Sequence, residues 1–156
     1  MMRTEPTAST FSLRPATPND KVFCHELHWR TMRDYVEATW GWDEADQSQR
    51  FEAGFDPSRT EIIEQDGKPI GMLIVDRTTN PVRLLSIEIS PEQQGLGYGA
   101  AIISRVVRES AGKPVWLQVL KVNPAKALYE RLGFVSIGET ATHWQMLHGP
   151  LREHSS

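Results

Sequence analysis

A chain of 156 residues has the length of one domain, and 39% hydrophobic with 24% charged residues suits a folded core, which excludes a disordered or fibrous protein. Seventeen Lys and Arg against twenty Asp and Glu leave a formal charge of -3, with no electrostatic footprint for nucleic acid or an anionic membrane, so neither partner is expected. No apolar run approaches the roughly 20 residues of a bilayer span, residues 1 to 10 lack the apolar core of a secretory signal, and Cys24 is the only cysteine, so a cytoplasmic address without disulfides is expected.

Phe11 to Arg14 alternates apolar and polar residues before Pro15 and predicts a first strand. Pro18-Asn19-Asp20 offers a cap for a helix running to about Arg33, with Cys24 among Val22, Phe23 and Leu27 as a buried thiol. From Asp34 to Pro57 the glycines at 41 and 54 and Pro57 divide an aromatic-rich stretch into one or two short helices. Two apolar runs flank Asp66-Gly67, a dipeptide that tolerates the positive φ of a tight turn, and predict an antiparallel hairpin. Arg83 to Ile89 reads as a strand with Leu85, Ile87 and Ile89 on one face and Ser86 and Glu88 on the other.

After glycines at 95, 97 and 99, Ile102, Ile103, Val106 and Val107 have helical spacing up to Gly112. Val115 to Leu120 is a buried strand, Ala125 to Leu132 a short helix stopped by Gly133, and two strands follow at Phe134 to Ile137 and His143 to Leu147. The order predicts a mixed α/β sheet with helices on its faces, in a single domain over residues 11–148 with flexible tails at 1–10 and 149–156.

Two segments carry chemistry. Gln94-Gly95-Leu96-Gly97-Tyr98-Gly99-Ala100 stands where a strand ends and a helix begins. Alternate glycines strip side chains from the turn, so successive N–H groups can face an anion beside the positive end of the helix. Phosphate or pyrophosphate is the implied ligand, although glycines also serve ordinary turns. No Lys-Ser/Thr pair follows, and, counted from Gly97 and Gly99, Ile102 stands where a dinucleotide fingerprint has its third glycine, so neither a P-loop nor the full G-x-G-x-x-G phase is present. In the second segment, Asn123 to Phe134, Asn123 and Pro124 can simply start a helix, but Tyr129, between Leu128 and Leu132, has a hydroxyl that needs a partner or a task.

Together these segments resemble the GNAT superfamily of acetyl-CoA-dependent N-acetyltransferases. Gln94, Gly97 and Gly99 match its first signature, and Asn123, Leu128, Tyr129, Glu130, Gly133 and Phe134 its second. Leu13 to Ala16 and the hairpin Gln65 to Gly71 are similar to its N-terminal half, while residues 34 to 57 share no motif. The resemblance implies a sheet splayed between strands 83–89 and 115–120, with acetyl-CoA as co-substrate in the opening. The diphosphate would lie on Gln94, Gly95, Leu96, Gly97, Tyr98, Gly99 and Ala100, and the pantetheine arm would pair with the backbone of Ile87, Glu88 and Ile89. Asn123 and Lys126 would hold the cofactor from the other side, and backbone N–H groups near Ile89 would face the acetyl oxygen.

Direct attack by a substrate amine on the thioester is the implied reaction, on a small molecule or on a protein or peptide. Tyr129 matches the family's general acid. Some members carry a glutamate as base where this chain has Gln118, which takes no proton, so Glu88 is the substitute, with an ordinary exposed strand residue as the other reading. His143 is a weaker alternative, and His25 and His28 read as surface or packing residues. Tyr35, Trp40 and Trp42, beside Glu37, Asp43 and Glu44, would form an acceptor wall favouring a cationic amine, or else pack as core. No His, Cys and carboxylate spacing suggests a metal. A non-catalytic acyl-CoA-binding module is the alternative function, and a homodimer is compatible with the sequence.

Overall fold

The computed structural model describes residues 11–149, and apart from Gly149 the expected tails lie outside the described residues. In chain order its elements are β1 (Phe11–Pro15), α1 (Lys21–Trp40), α2 (Glu44–Gly54), β2 (Thr60–Gln65), β3 (Lys68–Asp76), β4 (Val82–Ile89), α3 (Tyr98–Glu109), β5 (Val115–Leu120), α4 (Ala125–Arg131), β6 (Val135–Glu139) and β7 (His143–His148). The strands form one sheet ordered β1-β2-β3-β4-β5-β7-β6. Among the described strands only β4 and β5 run parallel, joined by the crossover through α3.

Local chemistry accounts for the N-terminal half. Thr17 and Asp20 form a reciprocal capping box ahead of α1. Asp20 also takes both terminal nitrogens of Arg14 at 2.9 Å, and that guanidinium holds its carboxyl down at about 2. Asp66 and Gly67 both have positive φ, at 53° and 79°, and turn β2 into β3. The first helix runs seven residues past the end expected from sequence, because nothing between Arg33 and Trp40 breaks it. Gly41, at φ 86°, ends it instead. Asp43 then caps α2 by accepting from the Asp46 N–H at 3.0 Å.

Two cores lie on opposite faces of the sheet. Ile102, Ile103 and Val106 of α3 pack on Leu73, Leu117, Phe134 and Met146, with Leu128 and Tyr129 of α4 at their edge. Cys24 and Leu27 of α1 pack on Ile62 and Met72, with Phe51 of α2 beside them. Burial pushes the Cys24 thiol up to about 12, so it stays a protonated packing group.

β4 departs from the expected alternation. Ile74 pairs with Ser86 but Val75 with Leu84, so Leu85 has no partner and forms a bulge. Val82 and Leu84 are buried before it, Ile87 and Ile89 belong to the α3 core after it, and Leu85 is left 44% exposed. The face assigned to Leu85 is therefore corrected: one unpaired residue reverses the phase of the strand. The final hairpin also shifts, with β6 extending to Glu139 through Gly138.

Candidate active site

β4 and β5 pair only at Val82 with Val115 and Arg83 with Trp116. Beyond those two positions they diverge, and the wedge between them is a cleft of about 280 Å³. Leu84 to Glu88 line one wall, Leu117 to Leu120 the other, and Asn123, Tyr129, His143 and the α1 residues Met32, Val36 and Trp40 complete it. The bulge places Leu85 in this opening. Since β5 does not follow β4 past Arg83, the facing edge of β4 retains unpaired main-chain groups.

At the end of β4 the chain makes a short helical turn at Pro91–Gln93 and enters the glycine loop. Gly95 and Gly97 hold φ at 81° and 92°, and a Cβ on either would meet nothing within 4 Å, so the loop fronts open space. The first bond of α3 runs from the Ala101 N–H to the Gly97 carbonyl at 3.1 Å. The N–H groups of Tyr98, Gly99 and Ala100 precede it and have no intrahelical acceptor. These donors at a helix N-terminus fit a diphosphate. Tyr98 buries its ring and offers only backbone, while Leu96 is exposed. The Gln94 side-chain amide donates to the Ile89 carbonyl at 2.9 Å, tying the loop to the strand end. A Cβ on Gly71 would collide with the Glu88 carbonyl, so that oxygen turns toward β3, and the alternation of the ladder turns Ile87 and Ile89 toward the open edge.

Across the cleft, the Asn123 side-chain oxygen accepts from the Ala125 N–H at 2.9 Å, starting α4 and leaving the Asn123 amide nitrogen for a ligand. Lys126 pairs with Glu130 at 2.7 Å and lies 5.0 Å from the Trp144 ring centroid, so a cofactor phosphate would have to draw it from those partners. Tyr129 packs on Phe134 at 5.9 Å between ring centroids. Burial pushes its phenol up to about 12, so it is fully protonated at neutral pH and available as a donor.

Glu88 is buried rather than exposed, on the α1 face of β4. Its carboxylate accepts from Thr31 Oγ1 at 2.8 Å and from Ser86 Oγ at 3.3 Å, and meets His28 Nδ1 at 2.9 Å. The reading of His28 as a surface or packing residue is thereby corrected. Burial acts to lower the His28 pKa, but the hydrogen bond and charge of Glu88 outweigh it and raise the value above 6.5. Sixty residues separate the partners, too far for any local pattern to pair them. The traceable signal was His28, Met32, Val36 and Trp40 at intervals of four on one helical face, which an end at Arg33 cut short.

Of the three aromatics assigned to the acceptor, Trp40 lines the cleft; Tyr35 and Trp42 do not. Trp42 packs edge-on against Trp29 at 5.3 Å and under the Arg33 guanidinium. The acidic wall expected there is also absent from the lining: Glu37 lies 3.8 Å from Arg33, Asp43 caps α2, and Glu88 is the one carboxylate among the lining residues. His143 does line the cleft, bonded to Thr142 Oγ1 at 2.8 Å, and burial lowers its pKa, so it is neutral at pH 7. The described residues hold no group of three or more His, Cys, Asp or Glu placed to bind a metal, and no helix among them is long and apolar enough to cross a membrane.

A sequence model of the acetyltransferase (GNAT) family matches residues 22–134. Among curated proteins, the ribosomal protein bS18-alanine N-acetyltransferase of Haemophilus influenzae is 30% identical over 73 residues, 45% of this chain and 50% of that protein. The chain thus matches about half the length of that relative. A solved acetyltransferase from Thermus thermophilus superposes with a TM-score of 0.70 at 21% identity, over 91% of this chain and 98% of that one. A PaiA N-acetyltransferase from Thermoplasma acidophilum, solved with coenzyme A, gives 0.68 at 14%, over 90% and 99%. At such identities the structural likeness is one of fold.

Proposed function

This chain belongs to the GNAT acetyltransferase family and has its splayed mixed sheet, and from that premise we propose that it transfers acetyl from acetyl-CoA directly to a primary amine of a small molecule or peptide. The observation that carries this reading is one cleft, opened by the divergence of β4 and β5, with Glu88 and Tyr129 both on its walls. Acetyl-CoA supplies the activated acyl group: a carbon–nitrogen bond forms to the acceptor as the carbon–sulfur bond breaks.

Each residue then has a defined task. The N–H groups of Gly95 to Ala100 bind the diphosphate, and the open edge of β4 at Ile87 and Ile89 receives the pantetheine arm. Glu88 takes the proton from the attacking ammonium, directly or through one water, since only the free base has a lone pair to donate. Tyr129 donates to the departing sulfur. A phenol at about 12 is a weaker acid than a thiol of roughly 8.5 in water, so its contribution is a hydrogen bond to the departing thiolate held through the step, and the proton that the nitrogen sheds as the adduct collapses is the one that ends on sulfur or in solvent. The placement of Glu88 favours catalysis over a cofactor-sensing module, because it sets a carboxylate able to take a proton in the same cleft as the Tyr129 phenol.

The test is free-thiol release from acetyl-CoA with a panel of primary amines, alongside a CoA binding titration. Amine-dependent release is the expected result. Tight CoA binding with no release for any amine would replace the enzyme by the sensor.

A further inference from the structure

The acceptor half of the cleft has a lining that selects among amines. From Glu88 the α1 wall continues through Met32 and Val36 to Trp40, which is 60% exposed at the last turn of the helix. On the β4 wall Leu85 is 44% exposed because the bulge turns it out of the core. His143 lies 6.1 Å from Trp40 between ring centroids, and its lowered pKa leaves a neutral ring there. The polar lining residues other than Glu88 are uncharged at neutral pH: Ser86, Gln118, Asn123, Tyr129 and His143. Large apolar side chains left in water around a concave site are a mark of ligand contact, because covering them returns the hydrophobic free energy that folding left unused.

We propose, resting on the acetyl-transfer reading above, that the acceptor is a primary amine carrying a single apolar, aromatic-sized substituent, with the nitrogen directed to Glu88 and the substituent held between Trp40, Leu85 and His143. A polyamine or aminoglycoside fits poorly. Each further ammonium it brings needs a carboxylate along the groove, and Glu88, the one carboxylate of the lining, is taken by the reacting nitrogen. The acidic residues of α1 and α2 stand outside the lining.

The experiment compares kcat/KM for 2-phenylethylamine, ethylamine, spermidine and a short peptide with N-terminal Phe, in the wild type, Trp40→Ala and Trp40→Phe. Wild type should favour 2-phenylethylamine over both ethylamine and spermidine. Trp40→Ala should cut the preference over ethylamine about tenfold, mainly through KM, and Trp40→Phe should restore most of it. The peptide arm separates a free amine from a chain terminus as the source of the same chemistry. Spermidine as the better substrate, or a Trp40→Ala loss equal for every amine, overturns the proposal. If no amine releases thiol, the acetyl-transfer reading fails by itself. Calorimetric titration of 2-phenylethylamine into the CoA-bound protein then decides: binding weakened by Trp40→Ala supports the site, and absence of binding to wild type removes it.

Discussion

The two halves of the proposed site are built differently. The proposed cofactor half, the loop from Gln94 to Ala100 and the open edge of β4, presents main-chain groups, and its determinants are glycines that remove side chains. The acceptor half presents side chains from α1, β4 and β7 that meet only after the sheet and helices have packed. Backbone recognition can be carried by a short contiguous motif. Side-chain recognition is free to change without disturbing the fold, and here it is assembled across more than a hundred residues of chain, from Met32 to His143.

Substitutions can separate the halves. The largest effect is expected for Glu88→Gln, which keeps the shape but takes up no proton: kcat should fall by about a hundredfold or more with CoA affinity retained. A Glu88→Gln enzyme at wild-type rate would strike Glu88 from the reaction. Tyr129→Phe removes only the hydroxyl, and a roughly ten- to hundredfold loss in kcat at constant CoA affinity is expected, because the ring still packs on Phe134. Gly97→Trp attacks the other half. Its side chain must occupy the space in front of the loop, from a backbone at φ 92° that L residues rarely adopt. CoA binding should weaken at least tenfold, about 1.4 kcal/mol, in a titration, and unchanged affinity would place the diphosphate elsewhere.

The same division decides what the sequence could disclose. The Asp66-Gly67 hairpin and the strand at Val115–Leu120 were readable because each is written in a short local pattern, a turn dipeptide and an apolar run between turn signals. The Leu85 bulge was not, since alternation is the default for a strand and only its pairing with β3 shows where it fails. The end of α1 was set at about Arg33 although Asp34 to Thr39 contains no breaker, and that error hid the stripe ending at Trp40. Glu88 was identified from its place on the central strand, but its burial and its partners on α1 arise only from the packing of helix on sheet.

His28 offers the finest test of the contrast, because it acts on the reaction only through Glu88. Its pKa is raised above 6.5 by that carboxylate against the opposing effect of burial. Below this raised value the imidazolium holds the carboxylate oxygen that must accept the amine proton, and above it the neutral ring releases that hold. The rate should therefore rise with pH through a step above 6.5. His28→Gln, which keeps a donor without the charge, should abolish the step while changing the high-pH rate only a few-fold, and a pH–rate profile that retains the step would assign it to the amine substrate instead. Stability runs in the opposite direction. A group with a raised folded-state pKa contributes stability that is fully present below its unfolded value near 6.5 and lost as pH climbs through the folded one. In denaturant titrations the wild type should accordingly lose part of its advantage over His28→Gln across the same interval in which its catalytic rate increases, tying both changes to one proton on one ring.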